Sequence, residues 1–137
     1  LLGQELPGRQ KFVVAAPGAA DQNKRWTIHG FRDVCHHLVE KYGVAIVFVG
    51  DEKDREAAQQ IQEGLGAIST NFCGRLSLLQ LAETLRRCLF LISNDSAPLH
   101  LASYLNRPVL GLFGPTDPRK YGPWSTQSLF IQRNAIP

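Results

Sequence analysis

Leu89-Phe90-Leu91-Ile92-Ser93-Asn94-Asp95-Ser96-Ala97-Pro98-Leu99-His100 is the stretch that decides the fold. Residues 89–93 form a short, largely apolar run of the kind that makes a buried strand. The chain then passes through a polar turn straight into a short helix, expected over 97–105, with Pro98 suited to the first turn. A buried strand that feeds a helix is one unit of a parallel α/β sheet.

The same unit repeats on both sides of this stretch. Upstream, Phe12-Val13-Val14-Ala15-Ala16 is an apolar strand stopped by Pro17-Gly18. A helix is expected over 27–42, because Phe31, Val34, Cys35, Leu38, Val39 and Tyr42 repeat at the spacing of one buried face. Thr27 can cap its start and Gly43 can end it. A second strand is expected over 44–49, then a helix over 52–64 with Asp51 as its cap and Ala57, Ala58, Ile61 and Leu65 facing inward. A short third strand falls within 67–73. Ser77-Leu78-Leu79-Gln80 has the form of a capping box, opening a helix with the stripe Leu78, Leu81, Ala82, Leu85 and Cys88. Downstream, a fifth strand is expected over 108–113, a proline-containing loop over 114–126 and a sixth strand over 129–132.

Strands that are apolar throughout, separated by amphipathic helices, imply a parallel sheet covered on both faces. The right-handed crossover rule makes this a Rossmann-like doubly wound sheet in a three-layer α/β/α sandwich, with expected strand order 3-2-1-4-5-6. Ligands of such sheets bind beyond the carboxyl ends of the strands at the point where the order reverses. The segments after the first and fourth strands are therefore where chemistry is expected.

Composition narrows the function. The 137 residues suit one domain with a single core, and 44% hydrophobic with 20% charged residues is the balance of an ordered globular chain. The formal net charge of +3 is too small and too scattered for a nucleic-acid partner. It supports no more than a weak attraction to anionic ligands or membrane surfaces. Cys35, Cys73 and Cys88 are an odd, widely spaced set, which argues against disulfides or a zinc site and for three small core side chains in a cytoplasmic protein. No apolar run reaches the length of a membrane span. The chain lacks G-x-G-x-x-G after the first strand and the P-loop pattern throughout, which weakens nicotinamide and P-loop readings. No metal-ligand spacing is present, so no metal or cofactor is expected.

Four segments remain as candidates. After the first strand, Gly18 permits a tight turn, and Lys24 offers a mobile charge for a phosphate close to a helix N-terminus. The residues alone are equally consistent with a solvated surface loop. After the fourth strand, Asp95, Ser96, Ala97 and His100 occupy a strand end and a helix start where a diphosphate can dock, and the His100 ring can donate to a phosphate or leaving group. A capping Asn94 or Asp95 with a satisfied histidine is the plainer reading, but it explains the polar cluster less well. After the second strand, a carboxylate of Gly50-Asp51-Glu52-Lys53-Asp54 can accept from ribose hydroxyls or simply favour a helix start. After the fifth strand, Thr116 offers a hydroxyl within a turn that, taken alone, reads as a chain reversal.

Taken together and in order, Pro17-Gly18, Lys24-Arg25-Trp26, Gly50, Asn94-Asp95-Ser96-Ala97-Pro98-Leu99-His100-Leu101-Ala102 and Phe113-Gly114-Pro115-Thr116-Asp117-Pro118 resemble the C-terminal domain of glycosyltransferase family 9, the ADP-heptose:lipopolysaccharide heptosyltransferases. The resemblance covers roughly residues 11 to 125. It implies the C-terminal half of a GT-B enzyme, in which two Rossmann-like domains face a cleft. Residues 1–11 would then be linker and 12–137 the nucleotide-sugar domain. The N-terminal domain, with the lipid-linked saccharide acceptor and the catalytic base, would lie outside this chain.

It further implies metal-independent, inverting transfer of a sugar, heptose from ADP-heptose, onto a lipopolysaccharide core acceptor at the cytoplasmic face of a bacterial inner membrane. The isolated domain would be inactive. Gly18, Lys24, Glu52, Asp95, Ser96, Ala97, His100 and Thr116 would bind the donor. Lys24 would contact phosphate, Glu52 the ribose, and His100 would stabilise the leaving group. Ala97 stands where the family has glycine, and Ala19 and Ala20 replace hydroxyl residues found there in some members, differences that bear on sugar specificity. Two other readings of the same half-site are a nucleotide-sugar epimerase of GT-B fold and a non-catalytic nucleotide-binding domain.

Overall fold

The computed structural model describes residues 10–18, 26–113 and 129–132. Strands β1 (Phe12–Ala16), β2 (Ala45–Phe48), β3 (Ser69–Asn71), β4 (Leu91–Asn94), β5 (Val109–Phe113) and β6 (Leu129–Gln132) form one sheet in the order β3-β2-β1-β4-β5-β6. This is the order expected from the sequence. Every pairing is parallel, and Val14 of β1 lies between Val47 of β2 and Leu91 of β4.

Side-chain alternation along β1 explains its unbroken apolar run. Phe12, Val14 and Ala16 pack on one face with Leu85 of α3 (Leu78–Arg87) and with Leu99 and Ala102 of α4 (Ala97–Tyr104). Val13 and Ala15 pack on the other with Phe31 and Cys35 of α1 (Ile28–Tyr42) and with Ala58 and Ile61 of α2 (Arg55–Gln62). Both faces are covered, so neither set of positions can be polar. Each fully buried large side chain stabilises the fold by about 1.5–3 kcal/mol relative to exposure.

The helix ends follow local chemistry. The Thr27 Oγ1 accepts from the Gly30 N–H at 3.0 Å, and Gly43 closes α1 at φ 66° with its N–H on the Val39 carbonyl. Ser77 and Gln80 make the reciprocal capping box, at 3.1 Å and 2.9 Å.

Three expectations change. Tyr42, expected in the buried stripe of α1, is 61% exposed at the end of that helix. The helix expected over 52–64 is divided into a single 3-10 turn, Glu52–Asp54, followed by α2. The Asp54 carboxylate folds back to accept from the Asp51 N–H at 2.8 Å, which tightens that first turn. Leu78 does not join the buried stripe of α3 and is 71% exposed. It is the first residue of the helix, and only from Leu81 onward does α3 lie against the core. The loop expected over 114–126 lies outside the described residues.

All three cysteines are buried. Burial pushes the thiols of Cys35 and Cys73 up to about 12 and that of Cys88 to about 11, with the nearby Asp54 adding to the rise at Cys73. A buried thiol resists becoming the reactive thiolate. At pH 8 the native chain is therefore expected to show no fast-reacting thiol toward an aromatic disulfide reagent, and the unfolded chain three. Phe31→Ala, at a fully buried position, is expected to cost about 3–5 kcal/mol, read from the urea midpoint at unchanged slope.

Candidate functional site

The strand order reverses between β1 and β4. Their crossovers leave on opposite faces of the sheet, so the chain diverges at their carboxyl ends and leaves a crevice. A cavity of about 400 Å³ lies there, bounded by the ends of β1, β2 and β4 and by the starts of α3 and α4. That volume is within the range of small-ligand sites.

Its polar side is built from close backbone approaches. Gly18 follows β1, and a Cβ added there would lie 2.2 Å from Cγ of Asp54. Gly50 follows β2 at φ 152°, and its Cβ would lie 2.7 Å from the same carboxylate. Asp54 is itself only 5% exposed. Two glycine turns thus close around one buried acid, and no side chain fits at either. Opposite them, Leu76, Leu78 and Leu81 supply an apolar wall beside Ser77.

The β4 end supplies the remaining wall. Asp95, Ser96, Ala97 and Pro98 line the cavity. Ser96 is the N-cap residue of α4 but makes no side-chain cap bond. Its hydroxyl lies 3.1 Å from that of Ser93, which donates to the Asn94 carbonyl at 2.7 Å. The first N–H groups of a helix lack intrahelical partners, and those of α4 are presented at this rim. Neither Asn94 nor Asp95 acts as the cap.

Of the residues singled out from sequence, Gly18, Asp95, Ser96 and Ala97 come together on the cavity wall. His100 stands one helical turn behind them. Its Nε2 lies 3.0 Å from Oδ1 of Asp95, and the ring is 42% exposed. The carboxylate is an acceptor, so the tautomer that suits this contact carries its hydrogen on Nε2. Glu52 is turned elsewhere. Its side chain is 74% exposed, lies 3.5 Å from the Arg55 guanidinium and packs against Gly74. Lys24 and Thr116 lie outside the described residues.

Sequence reasoning missed Leu76 and the outward face of Leu78, and it carried Asp54 only as one of the acids after the second strand. Only the Asp51-to-Asp54 spacing, which fits a capping box, hinted at a folded-back acid. Among the described residues no group of His, Cys, Asp and Glu is arranged to hold a metal, and no helix is long and apolar enough to cross a membrane.

Comparison with known proteins fits this geometry. The profile of glycosyltransferase family 9 (heptosyltransferase) matches residues 3–136. Lipooligosaccharide heptosyltransferase 2 of Haemophilus ducreyi is 36% identical over 115 residues, which is 80% of this chain and 33% of that protein. Lipopolysaccharide heptosyltransferase 2 of Escherichia coli K12 is 30% identical over 132 residues, 93% of this chain and 38% of that protein. The chain thus spans about a third of the length of the curated relatives it matches. The structure of E. coli ADP-heptose LPS heptosyltransferase II superposes with a TM-score of 0.90 at 27% identity, covering 98% of this chain and 43% of that one. E. coli heptosyltransferase WaaC with ADP gives 0.82 at 25% identity, covering 96% and 41%.

The contact between Gly18 and Asp54 yields a direct test. Gly18→Ala is expected to cost about 1–3 kcal/mol through overpacking. In a double-mutant cycle with Asp54→Ala, the cost of the added methyl should fall by about half or more, giving a coupling of roughly 1 kcal/mol in urea denaturation.

Proposed function

The chain belongs to glycosyltransferase family 9, and from that premise we propose that it is the nucleotide-sugar-binding half of a bacterial heptosyltransferase. The whole protein would move heptose from ADP-heptose to a lipopolysaccharide core acceptor, held by a second domain, at the cytoplasmic face of the inner membrane. The observation that carries this reading is the cavity at the strand-order reversal, which is polar at the ends of β1 and β4 and apolar at Leu76 and Leu78.

Each part of a nucleotide sugar finds its chemical complement. The diphosphate is held by the N-terminus of α4, the close backbone turn at Gly18 and the ammonium of Lys24. Thr116 would add a hydroxyl to the same group. Asp95 is a poor neighbour for phosphate and a good acceptor, so it takes hydroxyls of the sugar. The base lies against the leucines at the start of α3. Asp51 and Asp54 are the acids on the cavity wall after β2, and a carboxylate there can accept from ribose hydroxyls. Glu52 joins them only after rotating away from Arg55.

In the reaction, an acceptor hydroxyl oxygen attacks the anomeric carbon from the face opposite the diphosphate. The bond from that carbon to the diphosphate oxygen breaks, and the acceptor's proton passes to a base supplied by the second domain. Configuration inverts. Negative charge grows on the departing diphosphate, and donors stabilise it: Lys24, the helix N-terminus and the Nε2–H of His100, which reaches it by turning from Asp95. These donors meet the electrostatic need without a divalent ion.

Titration calorimetry of the chain with ADP, UDP, GDP and CMP tests the reading. ADP is expected to bind, and about 100 Kd of it should stabilise the fold by roughly 2.7 kcal/mol. Lys24→Ala should weaken ADP about tenfold, or 1.4 kcal/mol. In the whole enzyme His100→Ala should slow transfer about a hundredfold with the fold intact. Equal affinity for all four nucleotides, or for none, would sink the proposal.

A further inference from the structure

Asn94 closes β4 and is completely buried, yet it is not part of the cavity wall. Its carboxamide reaches across the molecule to the segment that follows β1. Nδ2 donates to the Pro17 carbonyl at 2.8 Å, and Oδ1 accepts from the Trp26 backbone N–H at 2.9 Å. Pro17 and Trp26 stand at the two ends of one stretch of chain, and within that stretch the sequence carries Gly18 and Lys24. One side chain therefore grips both ends of the segment and is covalently joined to Asp95, which does line the cavity.

We propose that Asn94 is a positioning residue of the donor site, a clasp that ties the backbone at Pro17 and Trp26 to the end of β4, next to the α4 N-terminus. The proposal rests on the donor-site reading above. The chemistry singles out asparagine. A carboxamide offers a donor and an acceptor in one plane, which is what a carbonyl and an N–H side by side require. Aspartate would turn an oxygen toward the Pro17 carbonyl, and an alkyl side chain would take the partner from that buried carbonyl and from the part-buried Trp26 N–H.

The clasp continues beyond Asn94. The Trp26 ring meets Phe31 at 5.3 Å between centroids and covers Gly30, where an added Cβ would lie 2.5 Å from the indole. Thr27, the next residue, caps α1. The far end of the segment is thereby fixed to α1 as well as to β4.

The test compares the chain with its Asn94→Ala and Asn94→Asp variants and with Ile61→Val, a core change remote from the cavity. Two properties are read at a temperature where all four are folded. The first is ADP affinity. The second is the rate of trypsin cleavage after Lys24 and Arg25, which needs no ligand. Both Asn94 variants are expected to bind ADP about tenfold more weakly and to be cut about fivefold faster. Ile61→Val should lower the unfolding midpoint and change neither property, which separates positioning from general stability. Asn94→Asp matches asparagine in size and carries the test if Asn94→Ala does not fold. ADP affinity and cleavage within about twofold of the parent would overturn the role given to Asn94. A parent chain that takes up no ADP would instead overturn the donor-site reading, and the cleavage rates would still report whether the clasp exists.

Discussion

The crevice at the carboxyl ends of β1 and β4 exists because those two strands are buried on both faces and their crossovers run in opposite directions. Val14 pairs with Leu91, so the two strands are neighbours in the sheet. The α1 layer covers one face of β1 and the α3–α4 layer covers the other. Beyond the last paired residues the backbones must therefore separate, and a buried apolar sheet ends in a polar gap. Everything placed around that gap inherits its position from the core beneath it, with no need for a loop to find it.

The polar groups at this rim are expensive to bury, and the structure shows how they are satisfied. Asp54 accepts from a backbone N–H in its own turn, and Asn94 uses both ends of its amide on distant backbone groups. His100 and Asp95 pair with one another. Satisfied networks of this kind hold a single geometry, because a small shift would strand a donor or an acceptor away from water. Such rigidity is what a site needs if it is to stabilise charge at the moment it develops. The three thiols are the contrast. Burial holds them neutral, and they pack in the core, where the Cys88 thiol also donates to the Leu85 carbonyl at 3.1 Å.

Much of this was legible in the order of residues. The strand order, the caps at Thr27 and Ser77 and the end of α1 at Gly43 follow from apolar periodicity and short-range hydrogen-bonding chemistry, which operate over a few residues. So does the placing of Gly18, Asp95, Ser96 and Ala97 near one rim, since a doubly wound sheet brings the ends of its first and fourth strands together. The orientation of Glu52 was not legible. It depends on whether Asp54 folds back, and that depends on the space left by Gly50 just before the turn and by Gly18 after β1. The exposure of Leu78 was hidden for a similar reason, because periodicity marks a face of a helix without saying where the core beneath it begins.

Sequence by itself determined which segments are strands and helices, the face each one buries, and the family whose pattern they share. Tertiary structure alone decided the roles of the polar residues whose partners lie far along the chain. Asn94 had the look of a helix cap and instead binds partners 77 and 68 residues away. Local pattern reports only interactions between near neighbours along the chain. A side chain's partner at long range is set by the packing of the layers around it.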